Sequence, residues 1–332
     1  MSVVADFARE LHEKHSGDAG RTLEPVDYPS RSDVLTDIRV VLFDVYGTLI
    51  NYWRPEFSAE DSKNNALLGA FKKTISYFGM EQYLVEMNPQ EPAEKTLWDL
   101  YHSLIALRHK LSLDKKIEFP EVKIEEIWNM IILMLKRRGY VPGAAFSRDA
   151  DASEFARCVA FYYNFHSFNR GLYPGVAGAL KSLSDNNILL GIVSNAQFYT
   201  AIDLTLFIRD QSEGEIDDYA RLFDPDLLFF SFEYGVSKPN QVLFRKLFDA
   251  LYQLQILPSQ ALFVGNDLVS DIKPAGDAGM KTGFFIGDKE SAFVHDSGGI
   301  VIPDIAFSSW DELPQRVSFH SKIERQPLKG SD

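Results

Sequence analysis

The feature that most constrains this chain is a nearly continuous apolar run, residues 38–43, that leads directly into an acidic residue, Asp44. Such runs are typical of parallel strands that are buried on both faces of a sheet. The residues that follow include a phenol, a glycine and a hydroxyl: Tyr46, Gly47 and Thr48. In an open α/β sheet, ligands bind in the crevice beyond the carboxyl ends of the strands. We therefore expect Asp44 to lie at the reactive edge of a parallel sheet and interpret it as a nucleophile.

Strand and helix patterns alternate along the second half of the chain, which predicts a parallel sheet with right-handed crossovers. The predicted strands cover residues 188–193, 227–230, 261–264, 282–286 and 305–307, and the predicted helices cover residues 240–254 and 271–278. Between residues 53 and 170, apolar residues recur instead at helical spacing, as in Leu67, Phe71, Ile75 and Phe78. The fold class is therefore α/β, with a Rossmann-like core split by a helical insertion.

This pattern divides the chain into three parts. Residues 1–30 carry charges, Gly and Pro with little periodicity and are interpreted as an N-terminal arm with a short helix over Val3–His15. Residues 31–52 and 171–332 form a discontinuous core, and residues 53–170 form a separate all-helical domain. The role of the arm stays open.

Composition excludes several functional classes. The net charge of −13 and the pI near 5.0 argue against a surface that binds nucleic acid, although a small anionic substrate remains compatible with them. The single cysteine, Cys158, cannot form a disulfide framework or a cysteine zinc site within one chain. No apolar run approaches the ~20 residues of a membrane span, and residues 1–20 lack the apolar core of a signal peptide. We expect a cytoplasmic protein without membrane partners; the sequence leaves its oligomeric state open.

Four strand ends terminate in polar residues, and a parallel sheet would bring these ends into one crevice. Together they supply a carboxylate nucleophile, a hydroxyl and an amide, a cation, and a second carboxylate cluster. The residues are Asp44, Ser194 with Asn195, Lys238, and Asn266 with Asp267 and Asp271.

These four segments resemble the motifs of the haloacid dehalogenase superfamily of hydrolases. In order they read Phe-Asp-Val-Tyr-Gly-Thr-Leu, Val-Ser-Asn, Ser-Lys-Pro-Asn and Val-Gly-Asn-Asp-Leu-Val-Ser-Asp-Ile. The resemblance covers residues 38–52 and 171–310, and the helical insertion stands where this superfamily inserts a helical cap. Each motif alone is short, but four in order form a specific signal.

The resemblance implies roles for individual residues. Asp44 would attack a phosphate monoester and form an aspartyl-phosphate that water later cleaves. Lys238 and Mg²⁺ would offset the negative charge, with the metal held by Asp44, the Tyr46 carbonyl, Asp267 and Asp271. The phosphoryl oxygens would be bound by Thr48 and Ser194, with Asn195 beside them.

Tyr46 departs from the phosphatase pattern, in which a second Asp two residues after the nucleophile transfers protons. A phenol with a reference pKa near ~10 is a poor base at neutral pH. Tyr at this position resembles the dehalogenases of the superfamily, where a halide leaves carbon without protonation or metal. The pair Asp267 and Asp271 has phosphatase-like spacing, however, and neither Arg54 nor Arg108 lies in a recognisable anion-binding motif.

Three functions therefore stay open. The first is a Mg²⁺-dependent phosphatase acting on a small phosphate monoester of unidentified structure, which is favoured because a carboxylate pair near Asp44 calls for a cation. The second is a metal-independent 2-haloacid dehalogenase that uses the same Asp44. The third is a catalytically weak binding or interaction module on the same fold.

Overall fold

The computed structural model of the protein describes residues 2–15, 22–29, 33–53, 60–294 and 301–318. Its strands are β1 (Val40–Phe43), β2 (Ile50–Trp53), β3 (Asn169–Leu172), β4 (Leu189–Ser194), β5 (Leu228–Phe230), β6 (Ala261–Gly265), β7 (Lys281–Phe285) and β8 (Ile305–Phe307). Six of them form one sheet in the order β5-β4-β1-β6-β7-β8, and all of its pairings are parallel. The predicted Rossmann-like parallel sheet is confirmed.

The first strand lies in the middle of this sheet, where both faces are covered. All four residues of β1 are fully buried, which explains their unbroken apolar character. The chain extends the sheet to one side of β1 through β4 and β5, and then to the other side through β6, β7 and β8. The strand order therefore reverses at β1, and this is the position at which open α/β sheets place ligands.

Eleven α-helices lie in the described residues. They are α1 (Val3–His15), α2 (Glu60–Phe78), α3 (Glu81–Met87), α4 (Ala93–Asp114), α5 (Ile124–Lys136), α6 (Ala152–Ser167), α7 (Val176–Asp185), α8 (Tyr199–Gln211), α9 (Ser231–Tyr234), α10 (Gln241–Gln253) and α11 (Lys273–Asp277). The helix predicted at residues 271–278 is present, but it begins earlier as a π-helical turn, Leu268–Ile272, that continues directly into α11. None of these helices has both the length and the apolar character that a bilayer crossing requires.

The helical region contains α2 to α6, but its two ends are strands that the sequence analysis missed. Strands β2 and β3 pair antiparallel, with Ile50 opposite Leu172 and Trp53 opposite Asn169. Both strands are only four residues long, and β3 carries Asn169, Arg170 and Gly171. Strands of four residues are too short to leave an alternating pattern that a sequence window could detect, and β3 is also largely polar.

Helix α1 has the predicted bounds and packs against α6 and α8. Its side chains Val4, Phe7 and Leu11 are buried, and the Phe7 ring stacks 6.2 Å from the Tyr162 ring of α6. This part of the N-terminal arm is therefore joined to the apolar core of the molecule.

Candidate active site

The sheet brings the ends of β1, β4 and β6 together. Phe43, the last residue of β1, lies opposite Ile192 of β4 and Val264 of β6. The backbone N–H of Asp44 continues this register and donates to the Val264 carbonyl at 2.9 Å. Asp44, Ser194 and the loop after Gly265 therefore share one edge of the sheet.

Asp44 is buried, with 6% of its surface exposed, and its carboxylate lies within a polar cluster. Its Oδ1 atom accepts from Lys238 Nζ at 2.6 Å and from the Ser194 hydroxyl at 3.1 Å. Its Oδ2 atom contacts only the Thr48 hydroxyl among the described residues, at 3.4 Å. The two carboxylate oxygens thus differ, because Oδ1 is held by a cation and a hydroxyl while Oδ2 is nearly free.

Lys238 joins two carboxylates. Its ammonium group lies 2.6 Å from Asp44 Oδ1 and 2.6 Å from Asp271 Oδ1, and its side chain is 2% exposed. Burial alone would lower the pKa of Lys238, but the neighbouring carboxylates of Asp271 and Asp44 outweigh it and raise that pKa above its ordinary value. The lysine therefore stays charged at neutral pH.

Asp271 contacts Lys238 through one oxygen and the protein backbone through the other. Its Oδ2 atom accepts from the Asp267 N–H at 3.2 Å. A Cβ atom at Gly265 would lie only 2.4 Å from this carboxylate, so the glycine makes room for it. Burial raises the pKa of Asp271 to about 7; the Lys238 ammonium opposes the rise, and the Asp44 and Asp267 carboxylates add to it.

Asn266 belongs to the site, although the sequence analysis assigned it no role. Its Oδ1 atom accepts from the Thr48 hydroxyl at 3.0 Å, and its Nδ2 atom donates to the Ser291 carbonyl at 2.6 Å. Gly47 has a φ of +86°, and a Cβ atom there would lie 2.3 Å from Asn266 Nδ2. The position of Asn266 inside the fourth motif was the signal that could have identified it.

Asn195 faces the lysine loop. Its Oδ1 atom accepts from the Lys238 N–H at 2.6 Å, and its Nδ2 atom donates to the Lys238 carbonyl at 3.3 Å. Both ends of its amide are thus used to hold the Lys238 backbone. Ser194 and Thr48 thus lie beside the Asp44 carboxylate, whereas Asn195 contacts the backbone of Lys238 rather than Asp44.

Tyr46 makes its contacts outside this network. Its hydroxyl is 2.9 Å from the Thr200 hydroxyl of α8, and its ring meets the Tyr52 ring edge-on at 6.0 Å. Burial, together with the charge of Asp203, raises the pKa of Tyr46 well above its ordinary value of 10. The phenol therefore stays protonated and cannot serve as a base at neutral pH.

A second buried ion pair lies near Tyr46. Arg170 of β3 makes a two-pronged contact with Asp203 of α8, with Nε–Oδ2 and Nη2–Oδ1 distances of 2.6 and 2.9 Å. The Nη1 atom of Arg170 also donates to the carbonyls of Asn164 and Phe168, at the end of α6. This arginine thus links the C-terminal end of α6 to α8.

The predicted metal ligands are only partly brought together. Asp267 Oδ1 accepts from the Val269 and Ser270 N–H groups, and therefore caps the π-helical turn. Within the described residues, no three His, Cys, Asp or Glu side chains converge in an arrangement that could hold a metal ion. Lys238 contacts both Asp44 and Asp271, but Asp271 also uses its second oxygen to accept from the Asp267 N–H, whereas Asp44 Oδ2 contacts only the Thr48 hydroxyl among the described residues.

The two arginines considered as anion clamps do not enter this site. Arg54 lies outside the described residues. Arg108 lies on α4 and pairs with Glu126 of α5 at 2.6 Å, with both side chains about half exposed.

Residues 38–279 match the sequence model of the haloacid dehalogenase-like hydrolases. The chain belongs to this family. One relative of this chain is the glyceraldehyde 3-phosphate phosphatase from Pyrococcus furiosus, which is 31% identical to it over 130 residues. That match covers 39% of this chain and 48% of the phosphatase, so it spans about half of the relative's length.

Solved structures of both phosphatases and dehalogenases are similar to this family member. A 2-haloacid dehalogenase from Pseudomonas syringae is 20% identical, with a TM-score of 0.47 and coverage of 84% of this chain and 97% of that one. An HAD phosphatase from Thermococcus onnurineus is 17% identical, with a TM-score of 0.43 and the same two coverages.

Proposed function

We propose that this hydrolase uses Asp44 as a nucleophile on a small phosphate monoester. The observation that carries the proposal is the Asp44 carboxylate, which is buried at the meeting point of three strand ends and lies 2.6 Å from the Lys238 ammonium. The attacking atom is Oδ2, because Oδ1 is held by Lys238 and Ser194. Attack would form an Oδ2–phosphorus bond and break the phosphorus–oxygen bond to the alcohol, whose oxygen takes up a proton from solvent. Water would then cleave the aspartyl-phosphate, which releases phosphate and restores Asp44.

Lys238 and Ser194 orient the nucleophile in this scheme. The ammonium group offsets the charge that accumulates as the phosphoryl group is transferred, in a buried setting where such interactions are strong. Thr48 and Ser194 lie beside the carboxylate, where their hydroxyl groups can contact phosphoryl oxygens after a small rotation. Asn195 and Asp271 act through Lys238. Asn195 holds the backbone of the lysine, and Asp271 holds its ammonium group.

The residues present fit a magnesium ion. The described cluster holds the carboxylates of Asp44, Asp267 and Asp271 against one ammonium, so it has an excess of negative charge. Mg²⁺ commonly uses one or two carboxylates together with water and substrate phosphate, so Asp44, Asp267 and the Tyr46 carbonyl are a sufficient set. When bound there, the ion supplies positive charge to the phosphoryl oxygens. Asp271 contributes through its charge rather than as a direct ligand.

A phosphate substrate is favoured over a haloacid by the excess of carboxylates and by the identity shared with a phosphatase. A specific observation keeps the 2-haloacid dehalogenase as the second candidate. Tyr46 is protonated and bonded to Thr200, so the position two residues after the nucleophile supplies no carboxylate for proton transfer. Displacement of halide needs no such group, and the same Asp44 would attack carbon.

The helical region is proposed to act as a cap over the substrate. Residues 53–170 are inserted between the first strand and the rest of the core, and their α4–α5 loop contacts the loop that carries Lys238. A cap would exclude water and select the substrate. The division into an arm, a discontinuous core at residues 31–52 and 171–332, and a cap stays a prediction, as does a cytoplasmic location.

The test compares substrates and metals. Purified protein is incubated with p-nitrophenyl phosphate and with 2-chloropropionate, each with Mg²⁺ and with EDTA. We expect phosphate release that depends on Mg²⁺ and disappears in Asp44→Asn but not in Asp226→Asn, an exposed aspartate used as the control. Halide release that persists in EDTA would establish the dehalogenase instead. Inactivity on both substrates and on a wider phosphate panel would favour the binding module.

A further inference from the structure

The loop between α4 and α5, residues 115–123, is bonded to the loop that carries Lys238. The Glu121 N–H donates to the Gly235 carbonyl at 3.0 Å, and the Ser237 N–H donates to the Phe119 carbonyl at 2.8 Å. Pro120 and Val236 form an antiparallel bridge between these two bonds. A short stretch of the helical region thus pairs, as a strand would, with the residues directly before Lys238.

Glu121 adds side-chain contacts to this backbone pairing. Its Oε2 atom accepts from the Ser231 hydroxyl at 3.0 Å, and its Oε1 atom accepts from Gln197 Nε2 at 3.1 Å. Ser231 begins α9, after β5, and Gln197 follows β4. One carboxylate therefore connects the loop of the helical region to the loops after two different core strands.

Those two core loops carry the groups that hold the nucleophile. The loop after β4 contains Asn195, whose amide is bonded to both the N–H and the carbonyl of Lys238. The Ala196 N–H donates to the Ser231 hydroxyl at 2.9 Å, which closes the connection between the two loops. The loop that carries Lys238 is therefore connected to Glu121 in two ways, by backbone pairing and through Ser231.

We propose that Glu121 is a positioning residue, which docks the α4–α5 loop onto the core and thereby holds the Lys238 ammonium against Asp44. The inference rests on the proposed function in one respect, namely that Lys238 acts on Asp44 as the nucleophile. With Glu121 docked, the backbone before Lys238 is paired with residues 119–121. Without it, Ser231 and Gln197 lose a shared acceptor, and the loop that carries the lysine gains freedom.

The test measures the position of the loop separately from activity. Amide hydrogen exchange and acetylation of Lys238, both read by mass spectrometry, are compared in wild type, Glu121→Ala, Glu121→Gln and Glu118→Ala. Glu118 is the matched control, because it lies in the same loop with an exposed side chain. We expect Glu121→Ala to speed exchange over residues 231–240 and labelling of Lys238 by about tenfold, because a charged hydrogen-bond acceptor is lost. Glu121→Gln should recover part of the protection, since its amide oxygen still accepts from Gln197.

Kinetics give the second measurement. On whichever substrate is turned over, Glu121→Ala should lower kcat about tenfold or more and change KM by less than about threefold, because substrate contacts stay in place while the cation shifts. Unchanged exchange at residues 231–240 in Glu121→Ala would overturn the proposal. Faster exchange spread uniformly over the sheet would overturn it too, since Glu121 would then support only global stability. If Glu121→Ala does not fold, Glu121→Gln and Gln197→Ala give the same comparison. Loss of the proposed function would appear as inactive wild type, while exchange and labelling would still report the docking.

Discussion

Two buried groups of charged side chains, Lys238 with Asp44 and Asp271 and Arg170 with Asp203, differ in the number of carboxylates around the cation. Lys238 contacts two carboxylates, those of Asp44 and Asp271, and burial raises the pKa of Asp271 to about 7. Arg170 binds one carboxylate, that of Asp203, through two parallel hydrogen bonds, so the charges of this pair balance. Its Nη1 atom donates to backbone carbonyls. The second carboxylate of the Lys238 cluster suits the role proposed for Asp44, whereas the paired charges of Arg170 and Asp203 join β3 to α8. Burial alone does not distinguish the two groups, since both are buried; the number of carboxylates around each cation does.

Loss of the Lys238 ammonium should have the largest effect, and it tests the contrast between the Lys238 and Arg170 groups directly. Lys238→Met should lower kcat/KM on the accepted substrate by about 10³-fold, because a charge aimed at the reacting group is removed. Lys246→Met, at an exposed position on α10, is the matched control. Retention of a tenth or more of the wild-type activity would show that the cation is structural, and the contrast would fail.

The next effect falls on stability. Arg170→Met should lower the free energy of unfolding by about 3 kcal/mol, because Asp203 is left buried and unpaired. Urea titration monitors the change, and Arg221→Met, which breaks an exposed pair with Asp217, should change it by less than about 1 kcal/mol. A double variant, Arg170→Met with Asp203→Leu, should recover much of the loss. An Arg170 variant of wild-type stability without turnover would assign this pair to catalysis.

A smaller effect is expected at the phenol. Tyr46→Phe removes the hydrogen bond to Thr200 and should cost about 1 kcal/mol of stability. Its kcat should remain within about threefold of wild type, because the pKa of the phenol is raised by burial and the group transfers no proton. A loss of a hundredfold or more in kcat, with an altered pH profile, would show that the hydroxyl takes part in the chemistry.

The smallest effect concerns acid sensitivity near Arg170. Burial, with the positive charges of Lys73, His15 and Arg170, lowers the pKa of His166 from 6.5 to about 4. The unfolded chain binds a proton more readily between these values, so stability falls as the pH drops from about 6.5 towards 4. After allowance for solvent screening, the contribution is on the order of 1 kcal/mol. His166→Gln should remove that part of the slope in urea titrations across this range; an unchanged slope would place its origin elsewhere.

Sequence patterns predicted the sheet well because its strands are buried on both faces. The run that became β1 has no polar interruption, and the six predicted strands appear with edges shifted by at most two residues. Strands β2 and β3 were missed because each is held mainly by the other. Their pairing joins residues more than a hundred positions apart, and no local periodicity records it.

The candidate site was predictable in membership but not in geometry. Motif order brought Asp44, Ser194, Lys238 and Asp271 to one edge, and the structure brings them into contact. The sequence could not indicate that Asn195 binds the Lys238 backbone, or that Asp271 pairs with the lysine. Each depends on which way a side chain turns, and that is decided by neighbours from other strands. Glu121 was missed for the same reason, since its partners lie in distant loops.

The β2–β3 ribbon has a consequence for how such a chain can change over time. The polypeptide leaves the sheet region along β2 and returns along β3, and paired residues of antiparallel strands lie only about 5 Å apart. Whatever stands between Trp53 and Asn169 must therefore begin and end side by side. Helical inserts of other lengths could be exchanged at this junction while the parallel sheet stays in register, so the proposed cap and the proposed site at Asp44 can evolve as separate modules.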